Sequence, residues 1–599
     1  MNEKPKTSGR DDTTPAPRRR TAIFYATFCL GALALLAGLV SLIYPHAQAV
    51  GATVPWARHE AEDCQLLGGA KIEGPSLDRN TFAVEASNRK CVRLTTAGDG
   101  IRFTVQKNFS ALVIRLSMPD ADKGGGTEDF IQLTAGANTL RVPITSKYAW
   151  QYGDETMRKA EFLNEPPEPG YTGPFVRIRF DESRFRLPAT IPAGTVVEIT
   201  KPRDAKSAWL VLDLVEVELV PPPIPQPKGD LSVAEFGAKT DGSDAGPACV
   251  ATIAAAQKKK TGVYFPPGRY RLGKPLTVQN LSVKGAGIWE TELSFEGARP
   301  GGDAFIGAGG KINVSDLSIL GNSTTRSATS RGFSGWYGPG SRIDSVWIEH
   351  TEVGGWIGDY AGKNVTDGLT FSRCRVRNTY ADGINFVRGT RNSTIEQCHF
   401  RGNMDDSVAC WSSDAKNCPP TSHNIFRFNT IENTLRAGGI GLFGGEAHQV
   451  HHNLIRDTFN EGGIRFSCVF PGHPYGATEP MLIYLNQLVR CGGLSNGREH
   501  NGAIDLCSHP NLGELRQLRI ENNTIIDPTY SGIHLHSGDR QGQRAPITGI
   551  VLKGNTIRGA GEYGICIEDK SLGWLKSTEN RIEGAKLGER SNPSGFEIR

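Results

Sequence analysis

The sequence predicts an all-β protein, a parallel β-helix preceded by a β-sandwich module, with a transmembrane helix at the N-terminus. Three observations carry that fold class. Glycine supplies 71 of 599 residues, roughly 12% against an average near 7%, with no collagen-like period, and there are only 5 Met and 8% aromatics. Such a composition describes a turn-rich chain, not a helical bundle. A pattern of apolar, two residues, Asn or Cys, one residue, apolar recurs seven times in the C-terminal half, the self-similarity of a solenoid. Thr21 to Tyr44 runs 24 residues without a charge. Charge narrows the function: 67 Lys and Arg against 63 Asp and Glu leave a net charge of +4, which argues against a nucleic-acid partner.

The N-terminal elements set the compartment. Residues 1–20 are polar, end in Arg18-Arg19-Arg20 and read as a cytoplasmic tail. Residues 21–44 are long enough to span a bilayer as a helix, and the arginine triplet keeps their N-terminal side in the cytoplasm. The chain is therefore expected to be membrane-anchored with its catalytic part exported, periplasmic or extracellular. The rival is a signal sequence cleaved near Ala49, because Ala47-Gln48-Ala49 has small-residue cleavage character; the protein would then be secreted. Export permits disulfides. Among the 12 cysteines, Cys64 and Cys91 could pair, and Cys410 and Cys418 are close in sequence. No CxxC pair or His/Cys cluster has zinc spacing, so no transition-metal site is expected.

Residues 57–220 alternate apolar and polar residues in short runs, among them Ala111–Leu116, Phe175–Phe180 and Trp209–Val220, as in an antiparallel sandwich. Glu60-Ala61-Glu62 and Leu212-Asp213-Leu214 resemble the two ends of carbohydrate-binding sandwich modules. That resemblance implies a structural calcium on Glu60, Glu62 and Asp213; plain surface carboxylates on edge strands are the alternative. Residues 221–229 open with three prolines and alternate proline further on, a stiff linker that cannot continue a sheet.

Residues 230–599 form the β-helix. Val233 to Gly242, a helix over Ala245 to Lys260 and Gly262 to Tyr270 resemble the start of pectate-lyase-like right-handed parallel β-helices, where the helix caps the first coil. The repeated Asn or Cys positions are 374, 398, 429, 453, 486, 523 and 555. Buried Asn in stacked coils forms side-chain ladders. A second strand in each coil reads small, apolar, x, apolar, starting at Gly383, Ser407, Gly439, Gly463, Ala503, Gly532 and Gly564. Side chains alternate across a strand, so the x residues point away from the core: Asn385, Ala409, Gly441, Arg465, Asp505, His534 and Cys566.

The repeat register exposes the chemistry. Asp382 lies eight residues past Cys374 and Asp406 eight past Cys398, the same place on consecutive coils. Coil spacing of about 4.8 Å stacks one carboxylate on the other, with Asp405 beside them. Neither 381–383 nor 404–411 contains Lys or Arg. Crowded like charges raise at least one pKa, which suits a proton donor beside carboxylate bases.

Ala381-Asp382-Gly383-Ile384-Asn385, then Asp405-Asp406-Ser407-Val408-Ala409-Cys410-Trp411, together with Thr145 to Gly153, resemble glycoside hydrolase family 87, the mycodextranases or α-1,3-glucanases. The likeness spans about residues 57–599 and departs at Met404 and Cys410, where the family tends to carry Gly and Met. It implies an inverting hydrolase of α-1,3-glucosidic bonds with Asp382, Asp405 and Asp406 as catalytic carboxylates and no cofactor for catalysis. By analogy with polygalacturonases, Asp405 is the general acid and Asp382 with Asp406 the water-activating base. Two alternatives stay open. One is a polygalacturonase-like or other hydrolase or lyase, although its Gly-His-Gly and Arg-x-Lys are here Gly438-Gly439 and Arg465-Phe466-Ser467. The other is a non-catalytic β-helix that only binds polysaccharide. Substrate-binding candidates are Asn385, the aromatics Trp411 and Phe443, and the polar row Arg465, Asp505 and His534, which either bonds sugar hydroxyls or is a solvated strand face.

Overall fold

The computed structural model describes residues 50–599 apart from 123, 151–177, 296–301, 327–329, 360, 496–498 and 594–595. The expected tail (1–20) and membrane span (21–44) lie outside the described residues. Among the described residues, no helix is long and apolar enough to cross a membrane.

The first part is a sandwich of two antiparallel sheets. One runs Lys71–Glu73, Cys91–Leu94, Leu210–Glu218, Phe109–Ser117, Asp181–Ile191, with Trp56–Glu60 also on Leu210–Glu218. The other runs Gln65–Leu67, Gly100–Thr104, Val196–Thr200, Glu128–Ala135, Asn138–Thr145. Glu128–Ala135 alternates buried and half-buried residues, as a strand with one face toward water does. Phe109–Ser117 and Leu210–Glu218 are buried along their whole length, because their second face lies against the β-helix. Of the expected strand Phe175–Phe180, residues 175–177 lie outside the described residues and Ile178–Phe180 are irregular; the strand begins at Asp181.

Contact between sandwich and β-helix combines an apolar cluster, Val84 and Ile178 against Tyr380, Met404, Leu435 and Phe459, with buried ion pairs. Glu182, Glu216 and Glu218 of the sandwich face Arg375, Arg377 and Arg401 of the β-helix. Arg377 Nη1 lies 2.9 Å from both Glu182 and Glu216, and Arg401 bonds the same two carboxylates at 2.5 to 3.0 Å. The guanidiniums of Arg375 and Arg377 also stack on Trp56, 4.6 and 4.9 Å from its ring. Burial alone would raise the Glu182 carboxyl, yet the two arginines hold it down at about 2. The proline segment is pinned as well: Ile224 N–H donates to Ala286 O, and Tyr264 hydroxyl to Ile224 O.

The β-helix consists of parallel strands from Leu231–Ser232 to Glu597–Ile598, gathered into a 24-stranded and a 12-stranded sheet. Gly246–Lys259 is the capping helix, burying Cys249, Ile253 and Ala256 on the first coil. At the repeated position, Asn429 Nδ2 donates to Asn453 Oδ1, and the relay continues through Asn486, Asn523 and Asn555 to Asn580, each step 2.9 to 3.0 Å. Every amide also bonds backbone of the coil before it, as Asn486 does to Val450 O at 2.9 Å. Cys374 and Cys398 fill the slot in the earlier coils, with Cys374 N–H directed at Cys398 Sγ. The residue just before each slot turns the chain with positive φ: Arg373, Gln397, Phe428, His452, Leu485, Asn522, Gly554 and Glu579. The described cysteines are free thiols, so the pairings considered for Cys64 with Cys91 and Cys410 with Cys418 do not form.

Candidate active site

The site sits on the outer face of the 12-stranded sheet. Register places Asn385 on Ala409, Ala409 on Gly441, Gly441 on Arg465, Arg465 on Asp505, Asp505 on His534 and His534 on Cys566. Asp382 and Asp406 end the turns that enter Ile384–Val387 and Val408–Trp411. Gly383 N–H donates to Asp406 O at 2.9 Å, locking one turn over the other. One carboxylate oxygen from each of Asp382, Asp405 and Asp406 lies within 4.8 Å of the other two.

The three carboxyls differ in charge state. Burial, then the Asp405 charge, pushes Asp382 up to about 7, against a hydrogen bond of 2.9 Å from Asn385 Nδ2. Burial and the charges of Asp405 and Asp382 push Asp406 well above the carboxylate range, although Gly438 N–H donates to its Oδ1 at 2.8 Å. Asp405 goes the other way: burial works against it, but Arg326, in direct contact, and Arg436, 3.6 Å away, hold it below its ordinary value. Protonation is therefore favoured on Asp406 and Asp382 over Asp405. The stretches around the acids lack cations, but Arg326 and Arg436 arrive from other coils.

Two clefts meet at these acids. One, of ≈ 400 Å³, is walled by Trp356, Asn385, Trp411, Phe443 and Phe470 around Asp382. The other, of ≈ 680 Å³, extends past Arg436, Glu461 and Arg465 to His536. Arg326, Asp405, Asp406, Phe443 and Phe470 line both. The result is a groove with an acid cluster at its middle and aromatic rings on one wall.

The family models for α-1,3-glucanase catalytic domains D1 and D2 match residues 53–220 and 248–571. The chain belongs to the α-1,3-glucanase family, glycoside hydrolase family 87. It is a glycoside hydrolase. The Agl-KA catalytic domain is 28% identical, with a TM-score of 0.84, covering 92% of this chain and 98% of its own. The catalytic unit of the thermostable α-1,3-glucanase from Streptomyces thermodiastaticus strain HF3-3 is 27% identical, with a TM-score of 0.78, covering 92% of this chain and 96% of its own. A family 87 catalytic domain solved with nigerose shares the fold at 21% identity, with a TM-score of 0.76, covering 92% of this chain and 98% of its own. No curated protein matches the chain.

Within this family site, the structure brings Asp382, Asn385, Asp405, Asp406, Trp411 and Phe443 together and separates the rest of the polar row. Phe443 is only 5% exposed, because Phe470 packs edge-on against it at 5.2 Å. Trp411 is held by its indole N–H on Pro471 O. Arg465 reaches the groove but is paired with Glu461. Asp505 and His534 were expected either to bond sugar or to be a solvated strand face, and the solvated face does not hold. Asp505 is fully buried, its two oxygens taken by His534 Nδ1 at 2.9 Å and His536 Nε2 at 3.2 Å. Pointing off the core is not exposure when Arg465 and His534 close over both sides of the row.

Glu60, Glu62 and Asp213, the carboxylates of the expected calcium, come together at Ser87 and Asn88 in the sandwich, and Glu60 Oε2 and Glu62 Oε2 are buried without a hydrogen-bond partner. Asp213 is buried against Arg115 and accepts from Ser87 N–H, while Glu60 and Glu62 accept from Ser87 Oγ and Asn88 Nδ2. Arg115 pairs with Asp213, and Arg58 lies 3.6 Å from Glu60.

Sequence reasoning missed Arg326, Arg436, Glu461 and Phe470, and placed Gly441 in the outward row without a role. A Cβ on Gly441 would lie 2.6 Å from Asp406 Oδ2, so this glycine makes the room the acid stands in. Of the segment Thr145 to Gly153, residues 151–153 lie outside the described residues, and the remainder touches the site indirectly. The Tyr380 hydroxyl, two residues ahead of Asp382, donates to Tyr148 O at 2.7 Å, and the Tyr148 ring stacks on His350.

Proposed function

We propose that the chain hydrolyses α-1,3-glucosidic bonds of a neutral glucan by inversion, with Asp382, Asp405 and Asp406 as its catalytic carboxylates. The observation that carries this is the acid trio standing where two clefts join, so that sugar can extend on both sides of the cleaved bond. A glucan lying through both clefts would pass Arg326, which lines each of them. Displacing that guanidinium removes the partner that keeps Asp405 ionised, and its pKa rises. The proton then passes to Asp405 from Asp406, its neighbour in the chain. Asp405 gives this proton to the leaving glycosidic oxygen while water attacks the anomeric carbon. Asp406, ionised by that transfer, takes the proton that water loses, together with Asp382 once solvent has taken the Asp382 proton, which it releases at about pH 7.

Carboxyl separation does not itself argue inversion. Inverting pairs stand about 6.5–9.5 Å apart and retaining pairs about 5–5.5 Å, and this trio is tighter. Inversion rests on the family likeness, and NMR of the first-formed anomer tests it: net retention overturns it. A uronate polymer fits poorly, because each arginine of the clefts faces a carboxylate: Arg326 and Arg436 face Asp405, Arg465 faces Glu461, and Arg331 lies 3.6 Å from Asp303. Incubation with α-1,3-, α-1,6- and mixed glucans and with polygalacturonate, with product sizing, tests the substrate class. Cleavage of polygalacturonate alone overturns the proposal. Export of the catalytic part, by an anchor over 21–44 or a signal cleaved near Ala49, belongs to the same reading.

A further inference from the structure

The outer face of the last coils carries a second cluster that hydrolysis does not use. Strand Ile504–Ser508 presents Asp505 and Cys507, and strand Ile533–Ser537 presents His534 and His536. Because side chains alternate along a strand, all four stand on one face. The parallel register sets Asp505 on His534 and Cys507 on His536, a square of ligand-type residues across two coils. None of the four is more than 8% exposed.

We infer that Asp505, His534 and His536, with Cys507 beside His536, form a site for one divalent metal ion of the zinc class, joining two coils next to the catalytic groove. One ligand atom from each of Asp505, His534 and His536 lies within 4.8 Å of the others. The carboxylate holds both imidazoles, Oδ1 to His534 Nδ1 at 2.9 Å and Oδ2 to His536 Nε2 at 3.2 Å. The two rings are stacked, 10° apart in plane with centroids 4.7 Å apart, so a modest tilt of one ring is needed to bring both nitrogen lone pairs onto one ion. Tetrahedral zinc with Zn–N bonds of 2.0–2.1 Å needs ligand atoms about 3.3 Å apart, close to the separations already present. Imidazole, carboxylate and thiol together favour zinc over magnesium or calcium, which take oxygen ligands. His536 and Cys507 also line the larger cleft, which gives an ion a way in. Arg465, in register with Asp505, is the nearest opposing charge, and it is paired with Glu461.

The competing state is a metal-free one in which Asp505 simply accepts both imidazole N–H groups. An ion would replace those shared protons, so binding should release protons to the buffer. The purified full chain, stripped with a chelator, is titrated with ZnCl2 by calorimetry and separately with CoCl2 in the absorption spectrophotometer. Expected are one equivalent of zinc, the intense visible bands of tetrahedral cobalt and a near-ultraviolet thiolate-to-cobalt charge-transfer band. The double variant His534→Gln/His536→Gln should lose binding, with its fold checked by circular dichroism. Cys507→Ser should keep the visible bands and lose the charge-transfer band, which tests the site even if the double variant does not fold. Absence of zinc binding by the wild type overturns the inference. So does wild-type binding in the folded double variant, which would move the ion to the acid trio, and so does a charge-transfer band that survives Cys507→Ser.

Discussion

At the residue scale, the proposed mechanism treats the trio as one acid with a movable proton. If Asp405 delivers that proton and the other two activate water, the three Asn variants separate by substrate. Each should lose about 10²–10⁴-fold on glucan, the usual size of a general acid or base contribution. Asp405→Asn should recover on an aryl or fluoride α-glycoside, whose departure needs little proton help, and Asp382→Asn and Asp406→Asn should not. Recovery of Asp406→Asn instead would make Asp406 the donor. The same carboxyls fix a pH dependence of stability. The folded pKa of Asp382, about 7, lies above its unfolded value near 3.9. Its protonated form is therefore stabilised, fully below the unfolded pKa, and that stability drains away as pH rises through about 7. Asp382→Asn should accordingly raise the Tm at about pH 8 and change it little at about pH 4. Calorimetric melts at both values check this, and an equal shift at both overturns it. Trp411→Ala should raise KM on long glucan with a smaller effect on kcat, as loss of a stacking ring affects binding along the chain.

At the element scale, the Asn ladder sets the register that carries the acids. Each interior amide both donates to and accepts from a neighbouring coil. Asn486→Ala strands the Asn453 amide and Val450 O in a dry core, at a cost of order 3 kcal/mol. Asn580 ends the relay and is half-buried, so Asn580→Ala should cost about 1 kcal/mol. Urea midpoints check the order of the two. The ladder was legible because one slot demands the same residue coil after coil. Asn580 escaped the pattern since Ser577 stands where earlier coils have an apolar residue. The acids were legible for the same reason, being eight residues past the slot on consecutive coils. Arg326 and Phe470 were not, since both lie in loops outside the repeat, and a loop's course depends on tertiary contacts that no period encodes. The Asp505 row was read in the right direction with the wrong environment. Alternation tells which face a side chain takes, whereas burial depends on what the neighbouring coils place beside it.

At the scale of the whole molecule, the sandwich and the β-helix share one buried charge network, and this sets how they unfold. Glu182, Glu216, Arg377 and Arg401 are almost wholly removed from water. A buried ion group gives little net stability against an apolar replacement, but breaking it from one side is costly. Arg401→Met would leave Glu182 and Glu216 with Arg377 as their main compensation and should destabilise by about 3–5 kcal/mol. Adding Glu182→Gln and Glu216→Gln to that variant removes the stranded charge and should recover a large part of the loss, because coupled neighbours do not add. The same network makes the two parts one cooperative unit, so wild-type urea unfolding followed by far-ultraviolet dichroism and by tryptophan fluorescence should give coincident single transitions. Arg401→Met should lower the common midpoint without splitting it unless the interface itself opens first. Two separated wild-type transitions would mean that the charge network joins the sandwich to the β-helix too weakly to couple their folding, and Tyr148 would then give Tyr380, ahead of Asp382, no lasting support.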